Sequence, residues 1–203
     1  MTEETLATAA PSGPPELSDA DIYEAMKEIP GYLDITPGSF KEVYRLAFRL
    51  ARKRLFEEVT AAHLMTREVI AVRPETPVEE VAQAMGRAGI SGVPVVDGEN
   101  RVVGVISERD FLQRMGAKEG NFMSLVALCL KTRGCVAVPI KEKRAADLMS
   151  APAVTVAPDT PLREILQLFD TRHINRVPVA DAAGRLQGII TRGDLIRVLG
   201  GLK

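Results

Sequence analysis

The chain has 203 residues and 46% hydrophobic content, enough for one or two domains with a substantial core. Its 26 basic and 27 acidic residues nearly cancel, which argues against nucleic acid or a membrane surface as a partner of the whole chain. No basic start leads into an apolar stretch, and no run approaches about 18 apolar residues, so the sequence reads as cytoplasmic, without signal peptide or membrane span.

Residues 1–17, rich in Ala, Pro, Thr and Glu, read as a disordered tail. Ser18 with Asp21 then spells a helix cap, and Pro30-Gly31 a stop. A second helix starts at Thr36-Pro37. Its apolar residues Phe40, Val43, Tyr44, Ala47, Leu50, Ala51 and Leu55 share one face, and Lys41, Arg45, Arg49 and Arg52 the opposite one. Residues 18–58 therefore form a helical extension. Its basic residues, with Lys53 and Arg54, are read as the solvated face of a packed helix. A nucleic-acid-binding role is the rival reading, weakened by the absence of interleaved surface aromatics.

The rest of the chain repeats itself. Residues 61–115 align with residues 145–199 without a gap and are identical at 19 of 55 positions. Leu64-Met65 matches Leu148-Met149, Val93-Pro94-Val95 matches Val177-Pro178-Val179, Gly104 matches Gly188, and Asp110 matches Asp194. Such repetition predicts two copies, residues 59–116 and 144–203, sharing a core about a pseudo-twofold axis. Each copy is predicted to run strand, helix, strand, turn, strand, helix. In the first, Val69 to Val72 is a short strand, Thr76 caps a helix with Glu79 completing a capping box, and Gly92 to Val96 is a buried strand. The hairpin loop Asp97-Gly98-Glu99-Asn100 leads to the strand Arg101 to Ile106. Asn100 and Gly184 share an offset, which predicts one left-handed turn geometry in both copies.

Between the copies, residues 117–143 form an insert. Asn121 to Leu130 is apolar nearly all round and predicts a helix buried on most sides or pressed into a subunit interface, and Cys135 to Ile140 a strand. Cys129 and Cys135 are too few for a disulfide framework, and with His63 and His173 they give no zinc spacing, so no metal is expected.

LMT, VRPETPVEEVAQAM and GVPVVDGENRVVGVISERDFL in the first copy, with LMS, VAPDTPLREILQLF and NRVPVADAAGRLQGIITRGDLI in the second, resemble a tandem pair of CBS domains, the Bateman module. The resemblance covers residues 61–115 and 145–199. It implies an α/β (α+β) fold of two repeated β-α-β-β-α units, packed with pseudo-twofold symmetry behind the helical extension. It also implies clefts for an adenosine-containing regulatory ligand, AMP, ADP, ATP or S-adenosylmethionine. In that pattern Asp110 and Asp194 accept hydrogen bonds from ribose hydroxyls, and Ser107 and Thr191 lie near phosphate. A free helix N-terminus there would favour an anion. The same Ser/Thr-x-x-Asp spacing is also that of an ordinary capping box.

The copies differ in charge. Arg176 stands where the first copy has Gly92, and Arg192 replaces Glu108, so the sequence groups Asp194, Thr191 and Arg176 as the phosphate-binding cleft, with Arg192 nearby. The assignment of His173 and Arg109 to a cleft stays open at this point. Val72, Val93, Val156 and Val177 are candidates for an apolar wall or for plain core. No nucleophile-base pair or phosphate loop is evident, so the sequence reads as a non-enzymatic sensor, homodimeric, acting on an unidentified protein target. A purely structural dimerisation module is the remaining alternative.

Overall fold

The computed structural model describes residues 17–31, 34–117, 121–131 and 140–200, with side chains through residue 198. All but the last residue of the expected tail, and the expected strand at Cys135 up to residue 139, lie outside the described residues. The chain divides into two compact units, residues 1–59 and 60–203.

In the first unit, α1 (Asp19–Glu28) begins at a reciprocal cap: Asp21 N donates to Ser18 Oγ at 3.1 Å, and Ser18 N donates to Asp21 Oδ2 at 2.9 Å. The Ser18 hydroxyl, and after it the Ser18 backbone, holds the Asp21 carboxyl below its ordinary pKa. Helix α2 (Pro37–Glu58) is capped by Thr36 Oγ1, which accepts from Ser39 N at 3.2 Å. Lys41 Nζ reaches Asp19 at 2.6 Å and ties the two helices. The apolar face expected of α2 is split. Phe40, Tyr44 and Leu55 are half-buried, with Tyr44 stacked near Phe48 at 6.2 Å between ring centroids, while Val43 and Leu50 are exposed. A ten-residue α1 contacts only part of a 22-residue partner.

The second unit holds the two repeats. The first comprises α3 (Ala61–Leu64), α4 (Val78–Ala88), β1 (Gly92–Val96), β2 (Val102–Ser107) and α5 (Glu108–Arg114). Helix α6 (Phe122–Lys131) follows. The second repeat comprises α7 (Ala145–Leu148), α8 (Leu162–Thr171), β3 (Arg176–Ala180), β4 (Leu186–Thr191) and α9 (Arg192–Gly200). Each repeat contains one antiparallel hairpin, with Val93 opposite Ile106 and Val177 opposite Ile190. The expected leading strand Val69 to Val72 is reduced to a single parallel bridge, Val72 to Val95, echoed by Val156 to Val179. The backbone turns at once, with Thr76 N donating to Arg73 O at 3.1 Å.

Thr76 does not cap α4. Its hydroxyl accepts from Arg73 N at 3.0 Å, and Pro77 occupies the cap position, because the carbonyl of Thr76 is committed to Ala145 N at 2.8 Å in the other repeat. Thr160 O accepts from Ala61 N at 2.9 Å in the reciprocal contact. The lead helices are thus exchanged: α3 packs on β4 and α9, and α7 packs on β2 and α5. Ala145 and Leu148 of α7 join Val81, Met85, Val93, Val95 and Ile106 in one core cluster, so neither repeat has a complete core without the other.

The hairpin tips also pair across the pseudo-twofold, with Val102 N donating to Gly184 O and Leu186 N to Asn100 O, both at 2.9 Å. Asn100 (φ 63°) and Gly184 (φ 79°) take the left-handed conformation expected of them. Helix α6 departs from expectation within the chain: Leu125 is buried, whereas Phe122 and Met123 are each 66% exposed and Leu130 84%.

Candidate functional site

A cleft of about 600 Å³ opens between the repeats. One wall comes from the β2–α5 junction: Val105, Ser107, Glu108, Arg109, Asp110 and Leu112. The other comes from the second repeat, through Ser150, the loop Pro152-Ala153-Val154, and the α8–β3 turn from Arg172 to Arg176. Exchange of the lead helices creates this pairing, since Ser150 follows α7 and bridges Val105 of the first repeat.

Arg176 carries most of the consequence. Its backbone pairs with Thr191 in the β3–β4 ladder, yet its guanidinium crosses to the first repeat and donates to Ser91 Oγ at 2.7 Å. The absence of a side chain at Gly92 makes room: a Cβ there would collide with the Arg176 guanidinium and come within 2.5 Å of Ile106 O. Burial lowers the pKa of Arg176, and Glu108, then Asp110, act against that shift. His173, which lines the same cleft, takes a left-handed conformation (φ 51°) where the first repeat has Gly89 (φ 63°). A non-glycine residue there stores backbone strain.

Asp110 is fully engaged. Its Oδ2 accepts from Ser107 N at 2.7 Å and Ser107 Oγ at 2.6 Å, and its Oδ1 accepts from Ser150 Oγ at 3.0 Å across the repeats. The capping-box role is therefore realised, and a ribose hydroxyl would have to replace or share one of these donors. The expectation of a free helix N-terminus needs correction in both copies. Glu108 N donates to Ser91 O, and Arg192 N to Asn175 O, each at 3.1 Å, so the loop before the VPV strand takes the first helical N–H.

Asp194 is 6% exposed. Its Oδ2 accepts from Thr191 N at 2.8 Å and Thr191 Oγ1 at 2.6 Å, and Arg197 reaches its Oδ1 at 2.8 Å. The Arg176 side chain lies in the cleft with Ser107 and Asp110, and not with Asp194 and Thr191 as the sequence grouped it. Arg192 is exposed at the start of α9 and does not line the cleft of Arg176. Nor do Val72, Val93, Val156 and Val177. Val93 and Val177 are fully buried strand residues, Val72 lies in the core cluster, and Val156 is half-buried at its bridge to Val179.

The apolar lining comes instead from Val105, Leu112, Val154 and Ile174. Sequence reasoning also missed Ser91, Ser150, Arg172 and Asn175. For Ser91 and Asn175 a signal was available in the repeat itself, since Asn175 lies 84 residues after Ser91. Arg109 and His173, left open by the sequence, both line this cleft.

On α2, Lys41 is spent on Asp19, which weakens the basic-face reading. Among the described residues no cluster of His, Cys, Asp or Glu has the arrangement to hold a metal ion. Among the same residues no helix is long and apolar enough to cross a membrane.

Known proteins carry the same architecture. CBSX2 of Arabidopsis thaliana, solved in complex with AMP, is 30% identical to this chain, covers 70% of it, matches over 97% of its own chain and superposes with a TM-score of 0.55. CBSX1, a chloroplastic CBS domain-containing protein of the same plant, is 30% identical over 148 residues, 68% of this chain and 63% of its own length. The magnesium transporter MgtE of Thermus thermophilus is 32% identical over 194 residues, 91% of this chain and 36% of the transporter. The chain thus spans less than two thirds of either curated relative. The CBS domain profile matches residues 61–117 and 145–201. The chain belongs to the CBS-domain family and carries two CBS domains in tandem.

Proposed function

We propose that this chain is a non-catalytic, cytoplasmic sensor that binds a phosphorylated adenosine ligand in the cleft where Ser107 and Asp110 meet Arg172 and Arg176. The observation that carries the reading is the crossing of Arg176, which places the guanidinium of one repeat in the cleft beside the Ser107-x-x-Asp110 turn of the other. A guanidinium offers paired N–H donors to phosphate, Asp110 offers acceptors to ribose, and Val105, Val154 and Ile174 supply apolar surface for a base. The AMP complex of CBSX2 supports the ligand class.

The output is a change in how the two exchanged repeats pack, since a ligand touching both walls favours the arrangement that brings those walls together. Similarity to MgtE over 91% of the chain necessarily takes in much of the helical extension, which supports extension and repeats acting as one regulatory unit upon a protein target. Homodimerisation belongs to the same reading. It is supported by exposed Phe122 and Met123 beside a groove lined by Ala82, Met85, Ile90, Phe111 and Leu112.

Thermal unfolding of wild type and Arg176→Ala with AMP, ADP, ATP, S-adenosylmethionine and a guanosine control tests the reading. Ligand at about 100 times its dissociation constant adds roughly 2.7 kcal/mol, or about 5–10 °C for a chain of this size. An adenosine-selective rise that Arg176→Ala abolishes is expected. No rise with any adenosine compound refutes it.

A further inference from the structure

The two repeats carry opposite charges at one matched position. Glu108 opens α5, and Arg192, 84 residues later, opens α9. Glu108 lines the cleft, and its field acts on Arg176 more strongly than that of Asp110. The two carboxylates differ in how they are held. Asp110 accepts from Ser107 N, Ser107 Oγ and Ser150 Oγ, which offset its charge. Among the described residues, no donor is hydrogen-bonded to Glu108, so its charge faces the cleft unspent.

The cleft therefore has a limited capacity for anions. Arg109, Arg172 and Arg176 line it against Glu108 and Asp110, three formal positive charges against two negative. One phosphate, about −1.5 to −2 near pH 7, already uses up that balance. A second or third phosphate on the same ligand adds negative charge within the same space of about 600 Å³, where Glu108 repels it. Specificity then arises from an unfavourable element set against the competitor as well as from contacts to the favoured ligand.

We infer that Glu108 is a specificity-determining residue that makes this cleft select adenosine ligands with one phosphate over those with two or three. The inference rests on the reading of the cleft as an adenosine-ligand site. Glu108 is exposed at the first position of its helix, so the fold tolerates its replacement.

Calorimetric titration of the full chain with AMP, ADP and ATP, for wild type, Glu108→Gln and Glu108→Arg, tests it. Wild type binds AMP about tenfold more tightly than ATP. Glu108→Gln narrows that ratio roughly fivefold by strengthening ATP, and Glu108→Arg narrows it further. Wild type binding ATP as tightly as AMP overturns the inference, as does an unchanged ratio in both variants or an equal loss of affinity for all three nucleotides. Those outcomes leave the adenosine-site reading standing. Absence of binding by wild type to any of the three removes that reading and this inference together.

Discussion

The guanidinium of Arg176 donates to the hydroxyl of Ser91 at 2.7 Å, joining the first strand residue of one repeat to the loop before the matching strand of the other. The space it crosses exists because residue 92 is glycine. Gly92→Ala forces a Cβ onto the backbone oxygen of Ile106, which cannot swing aside as a side chain does, and onto the guanidinium. Overpacking of this kind costs about 1–3 kcal/mol. The unfolding midpoint should fall by roughly 2–12 °C, and AMP affinity should fall with it as Arg176 is displaced. A midpoint and an affinity both equal to wild type would show that Arg176 does not need this route.

Gly104 and Gly188 are the matched close approaches of the two copies. A Cβ on Gly104 meets Met149 Sδ at 2.5 Å, and one on Gly188 meets Met65 Sδ at 2.5 Å. Each methionine follows a lead helix exchanged into the other repeat. Gly104→Ala should destabilise by about 1–3 kcal/mol, and shortening Met149 in the same chain should return part of that loss. Denaturant unfolding of the two single variants and the double variant measures the coupling. Strict additivity would mean that Met149 is not the obstacle.

Asp194 caps α9 through Thr191 and holds Arg197 from a buried position. Asp194→Ala removes the acceptor for Thr191 N and should cost about 0.5–2 kcal/mol, the usual range for a lost helix cap. Arg197→Ala should cost less, because that arginine is largely exposed and screened. Equal losses in urea unfolding would show that the ion pair outweighs the cap.

Asp97 organises the first hairpin turn, accepting from Glu99 N and Arg101 N at 2.9 Å and from Arg101 Nε at 2.8 Å. The backbone N–H of Arg101, and next its side chain, hold the Asp97 carboxyl below its ordinary pKa. A depressed carboxyl stabilises fully above its unfolded value, about 3.9, and loses that contribution as pH falls through the folded value. The difference in unfolding midpoint between wild type and Asp97→Ala should therefore be constant above about pH 5 and shrink below about pH 4. A difference unaffected by acid would contradict the role of the ionised carboxylate.

Features set by local chemistry were legible in the sequence. Ser18 with Asp21 gave the first cap, Asn100 and Gly184 the hairpin turn, and Ser107 with Asp110 the capping box that the fold retains. Features set by exchange between the copies were not. Thr76 looked like a cap, but its carbonyl serves Ala145, a residue 69 positions later whose approach leaves no local trace. Arg176 looked like a partner for Thr191, and their backbones do pair, yet a long side chain at a strand end follows available space rather than register. The choice for the valines between cleft wall and core stayed open in the sequence for a related reason. Alternation along a strand shows that one face is buried, not whether the burying surface is core or cleft.

The structure of the AMP complex tests the central claim most directly. The account predicts one nucleotide between the repeats, its phosphate within hydrogen-bonding distance of the Arg176 guanidinium and its ribose hydroxyls beside Asp110. A nucleotide bound instead against Thr191 and Asp194, with Arg176 still turned to Ser91, would contradict it.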